Sequence, residues 1–554
     1  MVMKPSVGKD IEPLVDQVRK LLDNDAPEQE GGKAFGQLDH IQRREQAFLI
    51  RLRAALFQRE KFSSEHPRNN DEQEYANRNY IGNYTKALKK QNNGTGEVDP
   101  SAYLAYLRAL QTSRFVDFEA IPLGGTTKLT DPQAAYAFEL EGTDSHGLTM
   151  PPAPAFSSAQ EASEIAEVYW QALTRDVPFS QYETNPLTQA AAADLSKFSD
   201  FRGPKVNNQV TPGTLFRGDT PSDLTGPYLS QFLWADVPYG IAGSFAGGMT
   251  PVPQNEQRRQ FAPPGQDFLT DYQEWLHIQN GQPSSRTTQL EQELRYIHTS
   301  RDLTEFVHRD YPYITFVNAC LILLSYGPQA LDPANPYLNA NTQTGFPTFG
   351  ASDILDLVAR LANEALKAAW YQKWLVHRRV RPEEFGGWID NQLNGRANYP
   401  INVEILNSPV LKQVFDKYGS YLLPQAFPEG CPTHPAYPSG HAVYSGACVT
   451  VLKAFFNESF VIPKPVVASN NGLSLEKYMG TDPLTVGGEL NKLAANIALG
   501  RDAAGVHWRS DGIEGIKLGE TLALSVLEDR KTLYNQPFSG FTLTKFDGTT
   551  ITVR

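Results

Sequence analysis

With 554 residues, 40% of them apolar and 20% charged, the chain is long enough for two or more packed units, and its 24 Tyr and 29 Phe argue against disorder. A formal charge of −12 and a pI near 5.4 argue against a general nucleic-acid or anionic-membrane surface, because such partners would be repelled at long range. Any anion site must therefore be local.

The first residues, MVMKPSVGKDIEPLV, lack a basic region followed by an apolar run, so no secretory signal is expected. The most apolar segment, ITFVNACLILLSYG at 314–327, is too short to span a bilayer and is interrupted by Asn318 and Ser325. A soluble protein follows, with the cytoplasm as its default compartment. The three cysteines, Cys320, Cys431 and Cys448, have no metal-ligand spacing, and their odd number leaves at least one thiol free or paired between chains.

Helical periodicity opens at 10–24, where Ile11, Leu14, Val15, Val18, Leu21 and Leu22 share a face, and returns at 40–60. The polar stretches HPRNNDEQE and KKQNNGTGE read as exposed loops or partner-contacting arms. Short β-like runs broken by Gly and Pro predict a small hairpin within 120–150. Helices are expected at 158–176 and 287–327, with the Pro- and Gly-rich 203–285 between them a long ordered loop. In the last third, 352–377, 441–456, 488–500 and 508–529 fit helices and suit a bundle. FTLTKFDGTTITV at 541–553 alternates about Asp547-Gly548 and predicts a hairpin that closes the fold or meets a neighbour. The expected fold is mainly α: two four-helix-bundle-like units with small β-hairpins, one of them C-terminal. Residues 1–285 read as a helical region with oligomer-contacting arms and long loops, and 286–554 as the bundle that carries the chemistry.

Three segments of that bundle gather cations and imidazoles. Within 352–377, Ser352 is a candidate cap, Trp370, Lys373, Trp374 and His377 follow at helical spacing, and the helix must stop before Arg381-Pro382. In HPAYPSGHAVYSG, 434–446, Ser439 is a candidate N-cap ahead of Val443, Ala447, Val451 and Leu452, which leaves the Gly440 and His441 amides free for an anion. In ALGRDAAGVHWRSD, 498–511, Arg501 ends one helix, His507 opens the next and Asp511 stands four residues on. Each segment has an ordinary reading: VHRRVRP as a solvated basic stretch, PSGH as a plain capped helix, His507 as a surface histidine. Together they leave Lys373, Arg381 and Arg501, an N-cap turn and one histidine without carboxylate or cysteine co-ligands. That set suits a tetrahedral oxyanion and not zinc, iron or copper.

Lys373-x7-Arg381-Pro382, then Pro438-Ser439-Gly440-His441, then Arg501-x5-His507-x3-Asp511 resembles the three-part signature shared by vanadium-dependent haloperoxidases and class A acid phosphatases. The likeness covers roughly 370–515. His434 stands seven residues before His441, where bromide-oxidising members carry a histidine and chloride-oxidising members typically an aromatic. The gap between Lys373 and Arg381 is similar to that of algal and cyanobacterial bromoperoxidases. Gly500 departs from the Ser that many members have before the Arg, and Trp370 is an aromatic found near the cofactor in some members only.

The resemblance implies that His507 ligates vanadate while Lys373, Arg381, Arg501, Ser439 and the Gly440 N–H neutralise its oxygens. It further implies that His441 is the acid–base group for hydrogen peroxide, with Asp310 as a candidate to orient it. Asp310 could equally form a surface ion pair with Arg309. Lys373 would polarise the peroxide for attack by bromide, with iodide and chloride as further halides, and His434 and Trp370 would shape the halide's approach. The hypohalous acid formed would halogenate an organic acceptor, with phosphate as a competing ligand and a homodimer or larger homo-oligomer as the assembly. Some relatives bind calcium near the Asn-rich loop NPYLNANTQTG, 335–345, though the acidic side chains of a tight site are missing there. Two rival readings remain: an acid phosphatase working through a phosphohistidine at His507, and a non-enzymatic assembly protein whose basic pocket stores phosphate.

Overall fold

The computed structural model describes residues 40–61, 64–238, 241–242, 250–251 and 254–554, so the helix expected over 10–24 lies outside the described residues. The described chain is mainly helical, with small two-stranded antiparallel sheets. Helix α1 runs His40–Lys61. Helix α2, Ala159–Thr174, begins where the Ser158 hydroxyl accepts the Glu161 amide.

The hairpin expected within 120–150 does not form. Its backbone bonds go outward instead: Gly124 N–H donates to Ala87 O at 3.0 Å, Thr127 to Gly281 O at 2.9 Å and Thr130 to Thr433 O at 2.9 Å. Pro122, Pro132 and the Gly124-Gly125 pair lack the donors and side chains a ladder needs, so the segment threads between other parts of the chain. The polar stretches before it are not wholly solvated either, since Asp71, Lys90 and Thr95 are buried. The described residues from 203 to 285 are largely irregular as expected, apart from a 3-10 turn at Gln231–Leu233, a helix at Tyr272–Gln279 and two-residue ladders pairing 237–238 with 254–255 and 241–242 with 250–251.

The helix expected over 287–327 starts only at Ser300 and is broken in two, α3 at Ser300–Arg309 and α4 at Ile314–Ser325. Pro312 disfavours helical geometry at Tyr311. Asp310 therefore leaves the helix in an extended conformation (φ −72°, ψ 146°) and its side chain is freed for a distant partner. Helix α5, Ala351–Tyr371, is not capped by Ser352, which sits inside the first turn behind Gly350; Asp353 instead accepts the Phe349 amide at 2.9 Å. The chain then widens into a π-helical turn over Gln372–His377 and stops at Arg378, whose φ is 47°. After an extended stretch Pro382 opens a further helix, α6 at Pro382–Leu393, which local periodicity did not announce. Helices α7, Gly440–Phe455, α8, Val486–Ala503, and α9, Arg509–Leu533, stand where they were expected.

Helix α7 is the axis of the molecule. Val443, Ala447, Val451 and Leu452 are fully buried, and each branched aliphatic side chain so placed contributes about 1.5–3 kcal/mol. Its contact with α9 is made by small residues: a Cβ on Gly446 would run into the Ile516 carbonyl, and one on Gly519 into the Val443 carbonyl. Because backbone cannot retreat as a flexible side chain can, Gly519→Ala is expected to lower stability by about 3 kcal/mol, read as a drop in the unfolding midpoint. An unchanged midpoint would show that the helices are not held this close.

The two largest apolar clusters meet beside α7. One contains Tyr437, Ala442 and the inward faces of α3, α4, α5, α7, α8 and α9; the other contains Ala436, Val380, Phe385, Trp508 and the buried side of α2. The seam between them runs through residues 436–437 and 508. The C-terminal hairpin pairs Phe541 with Val553 and Leu543 with Ile551, and Phe541 packs on Phe455 of α7 with ring centroids 5.2 Å apart. It closes the bundle, as one of its two expected roles required.

Candidate active site: cations around one imidazole

The π-helical turn decides which side chains of the first segment reach the seam. Trp370 lies 4.7 Å, ring to ring, from His434; Lys373 Nζ donates to Pro435 O and Ala436 O, both at 2.8 Å; His377 meets the Tyr437 ring edge-on at 4.7 Å. Trp374 was expected on the same face and is not: the wider turn rotates it into a separate cluster against Tyr84 and Tyr106. VHRRVRP is not a solvated stretch. Arg378, Arg379 and Arg381 are all buried, and each serves a different partner.

Arg381 lies against two histidines. Its Nε donates to His434 O at 2.9 Å and one terminal nitrogen to Val506 O at 2.6 Å, while the two terminal nitrogens also approach His507 Nε2 at 3.0 Å and His434 Nδ1 at 2.9 Å. A guanidinium only donates, which fixes both tautomers. His507 carries its lone pair on Nε2 and its proton on Nδ1, facing Asp511 Oδ2 at 2.7 Å. His434 Nδ1 also lies 3.2 Å from Pro435 O, but the shorter approach of Arg381 at 2.9 Å, from a group that cannot accept, favours acceptance at Nδ1 and a proton on Nε2. Asp511 also accepts the Trp508 amide at 3.2 Å, so one carboxylate both opens α9 and orients the imidazole.

Arg501 donates to Val307 O at 2.8 Å and lies over the Phe427 ring at 5.4 Å; its Nε is buried without a protein partner. Ser439 occupies the N-cap position of α7, yet its hydroxyl bonds no first-turn amide and is likewise buried and unpartnered. A cap is worth about 1 kcal/mol, which the packing of α7 exceeds, so the hydroxyl is left for another use. The Ser439 amide donates to Asp511 O at 2.9 Å, which brings the start of α7 beside the His507 segment. Gly440 is close-packed: a Cβ there would approach Leu366 and Trp370 to 3.3 Å. His441, its side chain 24% exposed, faces Asp310 Oδ1 at 3.4 Å, and the Tyr444 hydroxyl donates to Asp310 Oδ2 at 3.2 Å. Arg309 pairs with Glu305, not with Asp310.

Lys373, Arg381 and Arg501 are 0%, 0% and 5% exposed, and among the described residues none of them forms an ion pair. They act on one another. Burial first, then the Arg381 charge, push the Lys373 ammonium well below its ordinary range; Asp511 pulls it back in part, and Arg501 adds a smaller push downward. Burial followed by Arg381 and Lys373 holds His507 well below 6.5, and burial followed by the same two cations does so for His434. Both imidazoles are therefore neutral near pH 7. His441 is also lowered by burial, with Asp310 pulling it back up.

The helical-bundle family described as "VCPO second helical-bundle domain" matches residues 357–536. The vanadium-dependent bromoperoxidase of Corallina officinalis is 36% identical over 561 residues, covering 87% of this chain and 93% of that protein. The vanadium-dependent bromoperoxidase of Ascophyllum nodosum is 35% identical over 491 residues, covering 83% of this chain and 86% of that protein. The chain belongs to the vanadium-dependent bromoperoxidase family. Among solved structures, the homohexameric second vanadate-dependent bromoperoxidase of Ascophyllum nodosum superposes with a TM-score of 0.82 at 30% identity, over 96% of this chain and 95% of that one.

Several side chains of this bromoperoxidase-family site escaped sequence reasoning. Tyr444 follows His441 by one helical turn, and that spacing could have drawn attention to it. Arg379 and its partners Glu161 and Glu164 carried no local signal. All three cysteines are buried thiols, and burial pushes Cys320 and Cys448 up out of the reactive range. Among the described residues no group of three or more His, Cys, Asp or Glu could hold a metal ion, and in the calcium candidate loop Asn335 is committed to Phe349 O and the Tyr337 amide. No described helix is long and apolar enough to cross a membrane.

Proposed function

We propose that this chain is a vanadate-dependent haloperoxidase that oxidises bromide with hydrogen peroxide, H2O2 + Br− + H+ giving HOBr + H2O, and releases hypobromous acid to halogenate an organic acceptor. The observation that carries the reading is the trio of buried cations that have no carboxylate partner among the described residues, next to a neutral imidazole with its lone pair on Nε2. Uncompensated buried charge is costly, and an oxyanion among the three offsets it.

The residues fit such a group. His507 Nε2 would ligate the vanadium. Lys373, Arg381 and the unpartnered Arg501 Nε and Ser439 hydroxyl are donors for its oxygens, together with the Gly440 amide at the α7 N-terminus. Vanadate, when bound, supplies a V(V) Lewis acid that activates peroxide without a change of oxidation state. His441, braced by Asp310, takes a proton from incoming peroxide at a ring nitrogen and returns it to the leaving water. Lys373 places positive charge where electron density builds during halide attack. His434 offers its Nε2–H, and Trp370 an aromatic wall, on the side from which the halide enters.

All of these residues, from Asp310 to Asp511, fall within 286–554, which supports assigning the chemistry to that half. A homo-oligomer is also proposed: the structural neighbour is homohexameric, and α1 carries Ile41, Phe48 and Ile50 exposed by 50%, 47% and 58%.

The test is peroxide-dependent bromination of an organic acceptor, with and without added vanadate and with bromide or chloride, beside hydrolysis of a phosphate ester. Vanadate-dependent bromination should exceed hydrolysis by orders of magnitude. Hydrolysis with no bromination would replace this reading by the acid phosphatase.

A further inference from the structure

We infer that Arg379 is a positioning residue: it locks the carboxylate of Asp511, and through it the His507 imidazole, to helix α2. The inference rests on the reading of His507 as the vanadium ligand. Arg379 is 1% exposed and lies over the Trp508 ring, 4.6 Å from its centre. One terminal nitrogen donates to Asp511 Oδ1 and to Ser510 Oγ, both at 2.8 Å. The other donates to Glu161 and to Glu164 Oε2, the latter at 3.1 Å. Ser510 Oγ in turn donates to Glu164 Oε2 at 2.7 Å, which closes a ring between α2 and the start of α9.

The geometry separates the labour of the two Asp511 oxygens. Oδ2 faces His507 Nδ1 and the Trp508 amide, and Arg379 is the one side-chain partner of Oδ1 among the described residues. With Oδ1 held, the carboxylate cannot rotate about its Cβ–Cγ bond, so the Nδ1–H of His507 keeps a single acceptor and Nε2 keeps a single direction. Without Arg379 the carboxylate can turn; Arg381, which donates to Nε2, still selects the Nδ1–H tautomer, but the imidazole loses its fixed direction. Glu161 and Glu164 hold the guanidinium from behind, so α2, more than 200 residues away in sequence, sets the angle of the ligand (separations of 218 and 215 residues). A planar two-armed donor is needed here; an ammonium cannot span Asp511, Ser510 and two glutamates at once.

The experiment uses the full chain without vanadate. In the parent protein, 15N NMR of the histidine side chains should show His507, assigned by its loss in His507→Ala, as one neutral tautomer with the proton on Nδ1. Arg379→Met and Arg379→Lys should each keep that tautomer, which Arg381 selects, but shift and broaden the His507 Nδ1–H signal as its bond to Asp511 loosens, and calorimetric titration should show vanadate binding weakened about 10–100-fold for Met and less for Lys. Ser510→Ala, which removes one strut and keeps Arg379, should fold in any case and weaken binding only slightly. If Arg379→Met does not fold, Arg379→Lys decides. A folded Arg379 variant whose His507 Nδ1–H signal matches the parent's in position and width overturns the inference, whatever its vanadate affinity. Absence of vanadate binding in the parent protein would sink the proposed function while leaving the Nδ1–H signal to judge Arg379.

Discussion

A His507→Ala variant is expected to lose vanadate-dependent bromination by at least about 1,000-fold, equivalent to roughly 4 kcal/mol of lost binding and activation, while keeping its fold. The loss is large because the proposed coordination has one protein ligand and no second imidazole to replace it. His434 is the nearest alternative, but its Nδ1 already accepts from Arg381. The fold survives because every group that His507 touches has other partners: Arg381 keeps Val506 O and His434 O, and Asp511 keeps Arg379 and the Trp508 amide. Circular dichroism and the oligomer mass should match the parent. Phosphate binding should fall far less than vanadate-dependent turnover, since the three cations remain. A variant that assembles, still binds phosphate and no longer brominates excludes a protein that merely stores phosphate; a variant that brominates normally removes His507 from the mechanism.

The candidate site was legible in the sequence because each of its parts is local. A Ser-Gly-His turn before a helix, a Lys and an Arg flanking a helix end, and His507 with Asp511 one turn on are spacings within single segments. What was not legible depends on distant chain. Arg379 stands in a run of basic residues that ordinarily faces water, and only the fold reveals that Glu161 and Glu164 wait for it on α2. Asp310 was readable only as a candidate, since the Pro312 break that turns it toward His441 is local whereas its reach to α7 is not.

The same distinction separates the hairpin that formed from the one that did not. At 541–553 the Asp547-Gly548 turn and alternating apolar residues complete themselves, with Gly548 at φ 84° and Phe541 paired to Val553. At 120–150 the β-like runs form no strand beyond a single bridge of Leu123 with Leu88, and the backbone partners of the segment include Ala87, Gly281 and Thr433. Trp374 shows a third kind of difference. Its helical spacing from Trp370 and His377 was read with 3.6 residues per turn, and the π-helical turn changes that count and sends the indole into another core.

Oxyanion binding should stabilise the protein, and more strongly near pH 7 than near about pH 9. Without an anion, burial beside Arg381 and Arg501 holds Lys373 well below its ordinary value of 10.5. The unfolded chain then binds more protons than the native one between that depressed value and 10.5, so the anion-free protein gains stability as pH rises through this window and loses it as pH falls. A bound anion supplies the negative charge that the three cations lack and raises the Lys373 pKa again, so binding takes up a proton. The melting shift produced by phosphate should accordingly grow as pH falls from about 9 to about 7. Phosphate at about 100 times its dissociation constant is worth about 2.7 kcal/mol, or about 2 °C for a chain of this length. Lys373→Met removes the ammonium that takes up the proton; phosphate should bind it about 10–100-fold more weakly, and the pH dependence of the shift should flatten. A larger shift at the alkaline end in the parent, or an undiminished one in Lys373→Met, would place the anion somewhere other than among these three cations.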